Sequence, residues 1–166
     1  MIIAIDVHYR ATFAKAVSIA FETWQDKQAS EIHQVYIDEV AAYVPGQFYK
    51  RELPCILKVL EKTPLEEVDV IIVDGYVTLS DEGKFGLGMY LYESLNQKIP
   101  IIGVAKKSFK DNERRVRKVL RGLSKKPLYV TSVGFDLDLA ASHIWQMHGE
   151  YRMPTLLKIL DQHTKN

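Results

Sequence analysis

"VDVIIVDGY", residues 68–76, carries a Val/Ile run, Val70–Val73, that stops on an aspartate and a glycine. Runs of this length without polar alternation belong to strands covered on both faces. "IPIIGVA" (99–105) repeats the pattern after a helix-length interval, and "MIIAIDV" (1–7) opens the chain with another strand-length apolar run. "HQVYI" (33–37) has strand composition. "AKAVSIAFE" (14–22) is rich in helix-favouring alanine, yet its spacing to the next segment suits a hairpin and places it as a strand. Helical periodicity covers residues 47–62, 83–97, 110–122, 138–148 and 154–163, with Pro54 tolerable in a first turn but disruptive further in. Strands first, then helix and strand in alternation, specify an α/β sheet with helices on both faces. In such folds the site lies at the carboxyl ends of the strands.

The length of 166 residues fits one domain spanning 1–166. Although 47% of the residues are hydrophobic, no stretch reaches the roughly 18–20 apolar residues of a membrane helix. The opening residues carry no basic segment ahead of a cleavage site. The expectation is a soluble cytoplasmic protein with no membrane partner. Cys55 is the sole cysteine, which excludes an intrachain disulfide and a cysteine-based zinc cluster and leaves a small buried hydrophobe.

The net charge of +1 conceals a split. Residues 106–126, "KKSFKDNERRVRKVLRGLSKK", hold 10 of the 22 basic residues and only Asp111 and Glu113 as acids, so the segment is +8 and the remainder −7. Concentrated Lys and Arg displace counterions from phosphates, the footprint of a nucleic-acid partner. Arg114, Arg115 and Lys118 are the expected phosphate contacts, against the plainer reading of a solvated helix face.

Two carboxylates stand where charge is costly. Asp6 follows "IIAI" and Asp74 ends "DVIIV", so each lies in or at the end of a buried strand. Buried carboxylates raise one another's pKa unless a cation neutralises them, and a hard divalent ion such as magnesium does so economically. Glu52, early in a helix able to cross those strand ends, is a third oxygen ligand. Each acid taken singly has a plain role, a turn cap for Asp74 or a helix N-terminus for Glu52, but the three together point to metal.

In order and spacing, "IDVHY", "YVPGQFYKRELP", "DVIIVDGYVTLSDEGKFGLGMYL" and "IPIIGVAKKSF" resemble the successive motifs of the endonuclease V family. These are ribonuclease H-like repair nucleases that cut deaminated nucleic acid near inosine. The resemblance runs from residue 1 to about 155. It implies a ribonuclease H-like mixed sheet and a divalent metal, magnesium with manganese able to substitute. Asp6, Glu52 and Asp74 would be the metal carboxylates and Lys106 an active-site lysine. Tyr43, Val44, Pro45 and Gly46 would form a wedge that separates strands and cradles a flipped base. Phosphodiester hydrolysis asks for such a metal set to activate water and stabilise the leaving oxygen. Reading a modified base asks for its removal from the stack, with Gly46 and Gly75 allowing close backbone approach.

The chain also departs from the family. Gly134-Phe135 stands where the family carries Gly-His after its last strand, so a histidine expected to assist proton transfer is replaced. "TLSDEGK" replaces a basic stretch and keeps only Lys84, while Val77 and Ala42 replace a pocket glycine and a wedge proline. His8, two residues beyond Asp6, shares its strand face and is the candidate substitute; His143 and His148 fall on the next helix. Three functions are compatible: a divergent magnesium-dependent endonuclease on inosine-containing DNA or RNA, a nucleic-acid-binding relative without cleavage, and a protein-interaction domain on the same fold. Retention of all three carboxylates favours the first. The loss of the histidine predicts weakened cleavage.

Overall fold

The structure, a computed structural model, describes residues 1–38, 44, 45 and 47–166. Strands β1 (Ile2–Tyr9), β2 (Ala14–Phe21) and β3 (Glu31–Ile37) precede helix α1 (Phe48–Leu60). There follow β4 (Val70–Asp74), α2 (Leu87–Ser94), β5 (Ile101–Ala105), β6 (Arg117–Val119), β7 (Leu128–Val133), α3 (Leu137–Gln146) and α4 (Thr155–Lys165). The strands form one mixed sheet in the order β3-β2-β1-β4-β5-β7-β6. β4 pairs in parallel with β1 and β5, while β2, β3, β7 and β6 join through antiparallel ladders.

Strand parity divides the core in two. Ile2 and Ala4 of β1, with Val70 and Ile72 of β4, pack on one face with Ile144 of α3 and Leu156 and Leu160 of α4. Ile3 and Ile5, with Ile71 and Val73, pack on the other with Ile56 and Val59 of α1 and Leu91 of α2. The alanine-rich β2 is buried along its whole length because α1 covers one face and α4 the other. Its alanines are small residues between two packed layers, and this tertiary setting overrides their helical preference. α1 continues through Pro54 to Leu60.

Residues 110–122 correct one expectation, for they form turns and the short edge strand β6 in place of a helix. Asp111 has φ 58°, outside helical space. Asn112 is buried and donates to the Thr78 carbonyl at 2.7 Å, while the Asp81 carboxylate accepts the Glu113 and Arg114 amides at 2.7 and 2.8 Å. Those amides are therefore tied to the 78–84 loop. Arg121 is buried, donating to the carbonyls of Tyr151 and Met147, so part of the basic charge is structural. The expected helix at 83–97 shortens to α2 because Gly86 and Gly88 press onto residues 76 and 77, where a β-carbon on Gly86 would meet the Tyr76 carbonyl at 2.5 Å. Among the described residues no helix is long and apolar enough to cross a membrane.

Candidate metal and nucleic-acid site

The β1–β4 ladder runs from Ile2↔Val70 to Ile5↔Val73, and the next residue on each strand is an aspartate. Neighbouring strands lie about 4.8 Å apart, so the register itself sets Asp6 beside Asp74. Parity turns both toward the face covered by α4. Lys106 follows the last residue of β5, and Asp161 lies on α4. All four line a cavity of about 20 Å³ walled by Val104, Leu157 and Leu160, enough for one water-sized species. Lys106 Nζ stands 3.9 Å from Asp161 Oδ1, and Lys165 Nζ 3.0 Å from Asp161 Oδ2.

The electrostatics follow from that crowding. Burial first and Asp74 second push the Asp6 carboxyl up to about 7, with Asp161 adding to the rise; the Val7 amide, donating to Asp6 Oδ1 at 2.9 Å, and Lys106 oppose it. Asp74 stands at a solvent-reached rim, yet its pKa is also raised, by desolvation and then by Asp161, against the pull of Lys106 and Lys165. The two aspartates titrate as a pair, so the extra proton belongs to both.

Glu52 approaches from the opposite side. It opens the second turn of α1 and is pushed up to about 8 by burial, then by Asp6 and Asp74. Arg51, its neighbour, lies 3.6 Å over the Tyr9 ring and lowers the Glu52 pKa. This Arg-Glu pair therefore stands on the charged rim of α1. Glu52 and Asp74 share a larger cavity of about 220 Å³ with Gly75, Tyr49, Tyr76, Phe85 and Phe109. Gly75 has φ 133° and open space where a β-carbon would project. Tyr76 is fixed by its hydroxyl donating to the Lys107 carbonyl at 2.5 Å, and Phe109 packs on its ring at 5.9 Å. Asp74 is thus the hinge between an ion-sized acidic cavity and an aromatic one.

The donor set is all oxygen, anionic and flanked by two ammonium groups, which fits a small hard divalent cation. Among the described residues no three His, Cys, Asp or Glu side chains close on a common point tightly enough to hold such an ion as they stand. The acids are electrostatic neighbours around a cavity, not a closed ligand shell.

Other sequence candidates are placed apart. Val44 and Pro45 are exposed just before α1, while Tyr43 and Gly46 lie outside the described residues. His8 is half-buried on β1 and lines neither cavity. Arg115 donates from Nε to the Asp81 carbonyl at 3.0 Å and packs its guanidinium against Gly83. Arg114 and Lys118 are exposed, the latter on the edge strand. Val77 is fully buried, its amide donating to Thr131 Oγ1 at 2.9 Å, and belongs to the core.

Phe135 corrects a further expectation. In the β5–β7 ladder Val133 pairs with Ile101, whereas Asp74 is level with Val104. Phe135 therefore lies beyond the other end of the sheet, more than about 10 Å along the strands from the acids. It packs in the α3–α4 core and edge-on to His143 at 5.9 Å. His143 stacks on Trp24 at 4.5 Å, and His148 bonds Thr155 Oγ1 at 2.9 Å. Sequence reasoning missed the aromatic lining of the larger cavity, Tyr76, Phe85 and Phe109, and it missed Asp161. Its signal was present: it falls four residues after buried Leu157 and three before buried Thr164, an acid on the apolar stripe of an amphipathic helix.

The family model described as Endonuclease V matches residues 1–120. An endonuclease V of Trichormus variabilis is 27% identical over 184 residues, covering 98% of this chain and 80% of that protein. Among solved structures, endonuclease V of Bacillus subtilis superposes with a TM-score of 0.77 at 20% identity, covering 99% of this chain and 78% of the other. Endonuclease V of Ciona intestinalis, in complex with a 24mer DNA containing an inosine followed by a ribo-adenosine, gives a TM-score of 0.78 at 17% identity, with 99% and 84% covered.

Proposed function

The chain belongs to the endonuclease V family, and from that premise we propose that it is a metal-dependent nuclease hydrolysing a phosphodiester near a deaminated base, inosine, in DNA or RNA. The observation that carries the reading is the convergence from five separate elements of Asp6, Asp74, Lys106 and Asp161 around an ion-sized cavity, with Glu52 in the adjoining cavity that shares Asp74 and close enough for Asp6 and Asp74 to raise its pKa. The similarity to the Ciona protein bound to inosine-containing DNA supports the same partner.

Asp6 and Asp74, with Glu52 and Asp161 beside them, would hold magnesium, or manganese in its place. Such an ion supplies a water acidic enough to ionise near neutral pH and neutralises charge developing on the leaving oxygen. The chain's own groups do the rest. Lys106 screens the phosphate approaching Asp74. The cavity of Tyr76, Phe85 and Phe109 takes the extruded base by stacking, with Gly75 admitting it close to the backbone, and Val44 and Pro45, preceding α1, belong to the wedge side of that opening. Few fixed polar groups line the cavity, so base preference is loose. Residues 1–166 act as one domain, and the single buried cysteine suits a reducing cytoplasm.

The test is incubation of the purified chain with labelled inosine-containing and unmodified strands, DNA and RNA, single and double stranded, with magnesium or manganese. Nicking of inosine strands above unmodified ones is expected. Equal cutting of both removes the base assignment, and cutting of neither removes the enzyme.

A further inference from the structure

β6 runs antiparallel to β7, as β5 does, so β6 points the same way as β4 and β5. Tyr129 pairs with both Ala105 and Lys118, which puts Lys118 one residue level above Asp74. Three strand spacings separate β4 from β6, about 14 Å across the same sheet end. That is the span of about four phosphates along a duplex strand, fewer in an extended one.

At that place an open cavity of about 540 Å³ is lined by Lys118, Leu120, Lys125, Pro127, Ala141 and Trp145, with no carboxylate among them. Trp145 is 62% exposed on the outer face of α3, and Leu120 is 56% exposed. Tryptophan is highly buried on average, and the other tryptophan, Trp24, is packed between Phe21 and His143. An aromatic face flanked by two exposed ammonium groups, which form no ion pair among the described residues, matches an unpaired base between phosphates. The position, level with the acidic cavity and within a few nucleotides of it, favours that occupant over an acidic apolar peptide.

We propose that Trp145, Lys118 and Lys125 form an accessory strand-binding site, in which an unpaired base of the substrate strand stacks on the indole and the adjoining phosphates meet the two lysines. The proposal rests on the nuclease reading and adds a grip on the strand a few nucleotides from the bond cut. It is tested on the full chain in EDTA, which separates binding from cleavage. Labelled single-stranded inosine oligonucleotides are titrated while oligonucleotide anisotropy and tryptophan emission are followed. Binding is expected to quench emission in wild type, the quench disappearing in Trp145→Leu with affinity about 10-fold weaker. Lys118→Ala with Lys125→Ala is expected to lower the salt slope by about 1.4, two phosphate contacts on a single strand. Oligonucleotides too short to reach from Asp74 to Trp145 are expected to bind wild type and Trp145→Leu alike. Full binding insensitive to all three substitutions overturns this proposal and leaves the nuclease reading standing. Quenching by a Glu/Leu-rich peptide but not by oligonucleotides overturns it in favour of a protein partner. Absence of any oligonucleotide binding by wild type overturns both.

Discussion

Replacing Asp6 by asparagine removes a carboxyl that burial and Asp74 push up from 3.8 to about 7, while keeping an acceptor for the Val7 amide. An acid whose pKa is raised on folding holds its proton more tightly in the folded chain. Below about pH 4 both states are protonated and the site costs nothing. As the pH rises toward 7 the unfolded chain releases its proton first, and wild type loses stability across that window. At about 1.4 kcal/mol per pH unit the ceiling is near 4 kcal/mol. Solvent reaching the half-buried group and the sharing of the proton with Asp74 bring it to about 2 kcal/mol. In a chain of this size that corresponds to about 4–8 °C in Tm. Thermal melts in EDTA between pH 4 and 8 are expected to show wild type falling while Asp6→Asn falls less, the variant becoming the more stable near pH 8. Magnesium is expected to raise the wild-type Tm at pH 8 and to leave the variant nearly unmoved. Parallel pH profiles, with or without magnesium, would refute the crowding of acids from which the site is argued.

Glu52→Gln is expected to abolish magnesium-dependent cleavage while circular dichroism shows the fold retained, because the group is held for charge and not for packing. Asp161→Asn is expected to slow cleavage at least about 10-fold at low magnesium, with partial recovery at high magnesium, as for a ligand partner; rates unchanged at every concentration would return Asp161 to a structural ion pair. Phe135→Ala is expected to destabilise by about 2 kcal/mol, less than a fully buried phenylalanine, and Phe135→His to leave the cleavage rate unraised, both read by melts and single-turnover assays. Gly103→Ala places a methyl 2.5 Å from the Gly75 carbonyl and 2.7 Å from Thr131 Oγ1, so denaturant melts are expected to show a loss of at least about 1–3 kcal/mol.

The central strands were legible because strands covered on both faces read as plain Val/Ile runs, and Asp6 and Asp74 were legible because a carboxylate interrupting such a run needs a reason. The segment 110–122 was not. Its Lys and Arg residues satisfy a helical pattern, but Asp111 at positive φ and the capping of two amides by Asp81, some thirty residues earlier, are tertiary facts. Phe135 misled for a related reason. Proximity in sequence to the end of β7 does not say which way β7 runs, and its antiparallel register carries that end away from the acids. The weakened chemistry expected from losing a histidine there therefore has no geometric basis in this chain. Asp161 was overlooked because its meaning depends on α4 lying over β1, a contact between the two ends of the sequence.

The most direct test compares wild type and Asp74→Asn, purified side by side, on one labelled strand carrying a single inosine, across a magnesium titration with an EDTA control. Wild type is expected to yield one discrete product near the inosine that grows with magnesium and is absent in EDTA, and Asp74→Asn to yield none. No product from wild type at any magnesium or manganese concentration, or the same product from both proteins, would contradict the assignment of these carboxylates to a nuclease site.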